Sequence, residues 1–218
     1  MQSKDKEVAW EQVNGGQRWR VDDRLRIDVE GAGVVRSSGE PITVKTLLDD
    51  YGDDLRAAAR RFDVPVAWLI GIVCIESVKL KTRAKPGARS KPSYHRDAQS
   101  IRWETYTRAR PDGEYSVGLM QTLQSTAIAI AKRNDLPTPT IAMMMIPRHS
   151  LMLGAAYFKE CLDRYKGDPI KAQAAYNAGG VYPDDTPWGF KTHAPDRALR
   201  YAQWVNDAVS VLEELHTE

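Results

Sequence analysis

One carboxylate in this chain stands where a proton donor could be made. The run from Val64 to Ser77, VPVAWLIGIVCIES, is almost unbroken in its apolar character and ends on Glu76. Its length suits a buried helix better than a strand. Stepping back from Glu76 along a 3.6-residue period reaches Val73, Ile72 and Leu69, all apolar. A carboxyl at the end of such a face is partly withdrawn from water. That disfavours the ionised form and suits a donor working near neutral pH. The same residue could instead be an exposed glutamate closing a core helix. Two other short segments accompany it, Gly118-Leu119-Met120-Gln121 and Ala175-Tyr176-Asn177-Ala178-Gly179, each at the edge of an expected helix. Each is weak alone, since a Gly-Leu-Met-Gln string could simply be a helix start.

The elements that must position these residues are mostly helical. Residues 1–17 are polar and close on Gly15 and Gly16, which predicts a loose arm. Leu25, Ile27 and Val29 alternate with Arg24, Arg26, Asp28 and Glu30, the pattern of a half-buried strand over 24–30. With turns at Gly31 to Gly33 and at 37–41, a β-hairpin or three-strand patch is expected for about 18–44, acting as a lid on the core or as a docking module. Thr43 or Thr46 can cap a short helix through Tyr51, and Asp53 can start another carrying Leu55, Ala58, Ala59 and Phe62. Asp63 then serves as N-cap of the helix that ends at Glu76, with Pro65 in its first turn.

A loop-rich excursion over 79–115 holds ten Lys and Arg against four acidic residues, either a solvated surface or a cleft wall that attracts an anionic polymer. Leu119 to Arg133 reads as a helix with Leu123, Ala127, Ile130 and Ala131 inward. The methionines at 143–145 read as apolar core or as a mobile gap filler. Helices follow over His149 to Tyr165, from Asp168-Pro169 to Gly179, and through Leu199, Ala202, Val205, Val209 and Leu212. The division expected is 1–44 as arm and β element, and 45–218 as the catalytic domain.

Composition narrows the class. A chain of 218 residues, 42% hydrophobic and 28% charged, can bury one substantial core. A net charge of +2 does not by itself imply nucleic acid, and the basic excursion is poor in aromatic residues. No apolar run is long enough to span a bilayer, so membrane insertion is not expected. The opening MQSKDKEVAWEQ lacks the apolar core of a secretory signal. Cys74 and Cys161 lie in apolar helical patterns, which leaves buried thiols or a single disulfide open. His95, His149 and His193 show no metal-ligand spacing.

In this order, Glu76-Ser77, then Gly118 to Gln121, then Ala175 to Gly179 closely resemble the lysozyme-like soluble lytic transglycosylases, the family that includes goose-type lysozyme. The VPVAWLIGIVCIES run looks like that family's catalytic helix. Met145-Ile146-Pro147 and the helix through Tyr157 are similar to its Pro-then-helix signature, and Tyr201 matches its closing tyrosine. The resemblance covers roughly 45–212. It implies a mainly α, lysozyme-like fold with a small β-hairpin element near the N-terminus. It also implies an enzyme that cleaves peptidoglycan between N-acetylmuramic acid and N-acetylglucosamine, with no metal and no organic cofactor. Glu76 is then the acid and afterwards the base, and the product is a 1,6-anhydro end.

Around it the resemblance implies a binding set of Ser77, Glu104, Gly118, Leu119, Met120, Gln121, Tyr176, Asn177 and Tyr201. Ser77 would bond the N-acetyl group or the opposite loop, and Gly118 would let backbone approach sugar. Met120 would floor a sugar ring, and Gln121 would donate and accept. Tyr176 would hold the Glu76 carboxyl, Asn177 would brace the turn or the substrate, and Tyr201 would line the pocket. For Met120 and Tyr201 a packing-only role fits as well.

The first two motifs lie 42 positions apart, several times the usual connection. Some phage-type members carry a comparable insertion, and Arg102-Trp103-Glu104 looks like its Arg-aromatic-Glu string. That brings in Glu104 as a second acid, with Asp112 and Glu114 behind it, and with it the alternative of hydrolysis by an activated water. The partners expected are peptidoglycan glycan strands, and the setting a virion-borne enzyme or one released at lysis into the bacterial wall. The N-terminal part would dock to the virion or another assembly. A wall-binding structural module of a phage tail or secretion apparatus is the reading from another class.

Overall fold

The structure, a computed structural model, describes residues 8–77, 107–109, 113–192, 194 and 196–217. The predicted alternation does yield a strand, but a short one. β1 (Trp19–Val21) pairs antiparallel with β2 (Ile27–Val29), and Trp19, Ile27 and Val29 are buried in the main core. The expected strand does not reach back to Arg24. The Asp22 carboxylate accepts hydrogen bonds from the backbone N–H groups of Arg24 and Arg26 at 3.0 and 2.9 Å. That side-chain turn competes with the ladder, and it leaves Leu25 at φ +65° and exposed.

The described part of the N-terminal arm is not loose. Glu11 N–H donates to the Trp19 carbonyl at 2.6 Å, Gln17 N–H to the Pro187 carbonyl at 2.7 Å, and Val13 packs on the core.

One helix replaces the two expected between 43 and 62. α1 (Ile42–Phe62) runs straight through Gly52-Asp53, because Val44, Leu47 and Leu48 share a buried face with Leu55, Ala58 and Ala59. A mid-helix glycine costs about 1 kcal/mol, less than that apolar stripe gains from burial. Thr43 is buried and does not cap; the N-cap is Pro41. Asp63 is likewise not the N-cap of the next helix. It closes α1 in the left-handed region, at φ 51°, with its N–H on the Ala59 carbonyl.

α2 (Val66–Ser77) is buried on all sides from Ala67 to Cys74, as a helix without a polar face must be. It packs against α7 (Arg197–Thr217), and the approach is close. A Cβ built on Gly71 would lie 2.7 Å from both Tyr201 Cε2 and Val205 Cγ2.

A second sheet was not foreseen. β3 (Thr107–Ala109), β4 (Tyr115–Val117) and β5 (Thr122–Leu123) form an antiparallel meander. α3 (Gln124–Arg133) therefore starts five residues later than expected, since Gly118 and Gln121 adopt positive φ, +72° and +47°, and cannot be helical. Ala127, Ile130 and Ala131 are buried as predicted.

After α4 (Ile141–Met144) comes α5 (Pro147–Arg164), which begins on its proline, two residues before the expected start. α6 (Pro169–Ala178) follows the forecast. The Asp168 carboxylate accepts from the Ile170 and Lys171 N–H groups, both at 3.0 Å, and Gly179 ends the helix at φ +81°. α1, α2, α5, α6 and α7 share the main core with the β1–β2 hairpin. Cys74 and Cys161 are both buried, and no disulfide joins them. Among the described residues no helix is long and apolar enough to cross a membrane.

Candidate active site

The end of α2 delivers Glu76 and Ser77 to a seam between three elements. Val73, Ile72 and Leu69 behind Glu76 are buried, as the helical period requires. Ser77 Oγ donates to the Leu119 carbonyl at 2.7 Å, which pins the last turn of α2 to the 118–121 turn. That turn is built tightly. Gln121 N–H and Nε2 both donate to the Gly118 carbonyl, at 3.1 and 2.8 Å, and Met120 N–H donates to Ser150 Oγ at 3.1 Å.

The glycine at 118 answers to this packing. A Cβ there would lie 2.2 Å from the Met144 carbonyl oxygen and 2.6 Å from Ser150 Oγ, so protein and not sugar excludes a side chain. Met120 and Leu119 are fully buried, and Met120 packs over Gly154, where an added Cβ would lie 2.4 Å away. The apolar floor expected of Met120 therefore faces the core.

The third segment closes onto the second. Tyr176 donates its hydroxyl proton to the Met120 carbonyl at 2.8 Å, so the 2.9 Å contact with Thr122 Oγ1 must have the threonine as donor. Tyr157 stacks tilted on the Tyr176 ring, centroids 4.8 Å apart. Burial pushes the Tyr176 phenol well above its ordinary value, and the nearby charge of Glu76 adds to this. The hydroxyl is thus a permanent donor that fixes the turn. It senses Glu76 through charge.

Asn177 is half-buried at the end of α6. Tyr201 does not line a cleft: it is fully buried, with its ring over Gly71 and its hydroxyl donating to the Trp68 carbonyl at 3.3 Å. Glu104, with Arg102, Trp103 and Asp112, lies outside the described residues. The Glu114 carboxylate accepts from Ser125 N–H at 2.8 Å in the first turn of α3, a helix-start contact.

The pattern of the transglycosylase SLT domain matches residues 54–184, more than half of the sequence. The chain belongs to the transglycosylase SLT domain family. Over 62 residues it is 40% identical to a Haemophilus influenzae protein provisionally named a soluble lytic murein transglycosylase, a stretch covering 28% of this chain and 10% of that protein. Its fold is similar, with a TM-score of 0.49 and 19% identity, to an inactive mutant of the lytic transglycosylase Slt from Pseudomonas aeruginosa, covering 79% of this chain and 28% of that one. The chain thus spans about a tenth of the curated relative's length.

The SLT match takes in Glu76 and both turn segments and stops short of α7. Beyond it lies the residue that the sequence did not single out. Arg197, at the start of α7, places its Nη2 on Glu76 Oε1, and each side chain is only 12% exposed. Nothing in spacing marks Arg197 among 31 Lys and Arg residues. The desolvated neutral acid expected from the sequence has a cation against it, and an adjacent guanidinium favours the ionised carboxyl. Thr122 and Ser150 were missed too, since a hydroxyl that braces a backbone turn leaves no periodic signal.

Proposed function

We propose that this SLT-domain chain is a peptidoglycan lytic transglycosylase, with Glu76 as its single acid and base. The observation that supports this reading is the meeting of the three motif segments. Ser77 beside the carboxyl bonds the 118–121 turn, and Tyr176 bonds the same turn from α6. A glutamate whose neighbour Ser77 is tied to a turn that Tyr176 braces from α6 is positioned for directed proton transfer.

In the proposed reaction Glu76 gives its proton to the oxygen linking N-acetylmuramic acid to N-acetylglucosamine, and the C1–O bond breaks. The N-acetyl oxygen of the substrate stabilises the cation that forms. The Glu76 carboxylate then takes the proton from the muramoyl 6-hydroxyl as that oxygen bonds C1. The product is a 1,6-anhydro end, and Glu76 is again protonated.

Mass spectrometry of digested sacculi tests the outcome. Anhydro ends are expected; ordinary reducing ends would mean attack by water, with Glu104 the first candidate to activate it. Glu76→Gln keeps the fold, judged by circular dichroism, and lowers cleavage by at least about a hundredfold. Binding of sacculi without any cleavage by the wild-type chain would support a wall-binding module instead.

The finer setting we propose is a virion-borne enzyme. Docking through the N-terminal part would use the Arg18, Arg20, Asp28 and Glu30 face of the hairpin, whose opposite face is buried. Detection of the chain in purified virions supports that setting, and its secretion from intact cells without virions removes it.

A further inference from the structure

The Arg197–Glu76 pair conflicts with the first step just described, and the conflict is informative. A proton donor must begin protonated, yet here the carboxyl meets a guanidinium with both side chains largely withdrawn from solvent. In such surroundings the attraction is screened little, and it holds the carboxyl as its anion.

The arginine is only partly satisfied by this contact. Arg197 Nε is buried without a hydrogen-bond partner among the described residues, and so are Oδ2 of the adjacent Asp196 and Oγ1 of Thr192, five positions earlier. Buried polar atoms are nearly always paired. Three orphans within six residues mark a place where a further group belongs. Among the described residues, the titratable groups beside the pair include Tyr176, Asp196 and Arg200. Tyr176 on α6 stays protonated, and Asp196 and Arg200 pair with each other at 3.4 Å across the first turn of α7.

We propose that Arg197 is a positioning residue that holds Glu76 ionised in the free chain and releases it when glycan enters, so that Glu76 acquires its proton from solvent only with substrate bound. The inference rests on the transglycosylase reading above. The glycan, rich in hydroxyl and N-acetyl oxygens, offers the acceptors that the guanidinium lacks. Once Glu76 has donated its proton, Arg197 can pair with it again and stabilise the carboxylate that must act as base. The helix crossing supplies the geometry. With Gly71 seated on Tyr201 and Val205, the first turn of α7 is brought to the last turn of α2. Arg197 lies one turn before Tyr201 on that helix.

The experiment compares the full chain with Arg197→Met and Arg197→Lys on a soluble glycan strand of alternating N-acetylglucosamine and N-acetylmuramic acid, together with an NMR titration of the Glu76 carboxyl in the free proteins. The titration is expected to move up by about one pH unit or more in Arg197→Met and to stay near wild type in Arg197→Lys, which keeps the charge. In the wild type the alkaline fall of kcat/KM, which reads the free chain, is expected at lower pH than that of kcat, which reads the complex. In Arg197→Met the two profiles coincide.

An unmoved carboxyl titration overturns the proposal, as does a wild type whose two profiles coincide, or a lysine variant that behaves like methionine. A merely structural arginine would change rates without changing the relation between the profiles. No cleavage by the wild-type chain at any pH would remove the function proposed above and the release step with it. The carboxyl titration reads the pair independently of activity.

Discussion

Tyr176 has one hydroxyl proton, and it gives that proton to the carbonyl of Met120. Tyr176→Phe keeps the stacked ring but leaves that buried carbonyl and Thr122 Oγ1 without their partner. The cost expected is about 1–3 kcal/mol, read as a lowered melting temperature. A turn loosened beside Glu76 is expected to lower kcat by roughly ten- to a hundredfold. A variant with wild-type turnover would show that the turn does not position the carboxyl. At this scale the sequence is readable where a residue type is rare in its setting. Glu76 stands out because an acid ends an apolar run, and its apolar neighbours are where the 3.6 period puts them. Arg197 is unreadable because its meaning lies in an approach across 121 positions, and an arginine before an amphipathic helix is ordinary. Tyr201 misleads for the opposite reason. An aromatic side chain on a helix face fits packing and pocket equally, and Gly71, which decides between them, is far away in the chain.

Elements were legible when their own side chains set their ends. α6 runs between Asp168, whose carboxylate takes two amide protons, and a glycine at positive φ. The α1 stripe was visible, but its continuity was not: Gly52-Asp53 reads as a break, and only the shared buried face overrules it. The β3–β5 meander was hidden because its strands are two or three residues long, too short for alternation to register. Alanine at two glycines of positive φ separates backbone strain from contact. Gly179→Ala meets nothing within 4 Å, so only the left-handed conformation is penalised, by about 1–2 kcal/mol. Gly118→Ala carries the same penalty plus a collision with the Met144 carbonyl oxygen, and more than about 2 kcal/mol is expected. Chemical denaturation measures both. Gly118→Ala should also lose cleavage, since this turn holds the acceptor for Ser77, whereas Gly179→Ala should retain it. Equal losses at the two positions would refute the contact argument.

The N-terminal segment is bound to the helical body by buried polar groups as well as by the core. Asn206 on α7 accepts from Ile27 N–H at 2.7 Å and donates to the Ile27 and Val35 carbonyls, both at 2.9 Å, in the manner of a further strand beside β2. Trp19 donates its indole N–H to Asp168 Oδ1 at 3.1 Å, the same oxygen that caps α6, so hairpin and motif-bearing helix share one acceptor. Burial raises the Asp168 carboxyl above its ordinary value, despite the opposing amide bonds and the Lys171 ammonium 3.2 Å away. Lys171 is less deeply placed. Burial works against its charge, yet Glu11 and Asp168 together hold its ammonium above the ordinary value. The sign for stability follows from the protons bound. Between the ordinary carboxyl range and the raised folded value, the folded chain holds a proton at Asp168 that the unfolded chain has lost. Stability from this group is therefore fully present below the unfolded value and is lost as pH rises through the folded one. Asp168→Ala removes the cap and strands the Trp19 donor, for a loss of about 2–4 kcal/mol at neutral pH. Its extra consequence is that the gap from wild type widens as pH is lowered from 7 toward 4, because only the wild type gains from protonation there. Urea midpoints measured across that range check it. A gap that narrows on acidification would mean that Asp168 is stabilised as its anion, with Lys171 outweighing the cost of burial at the junction of the hairpin and α6.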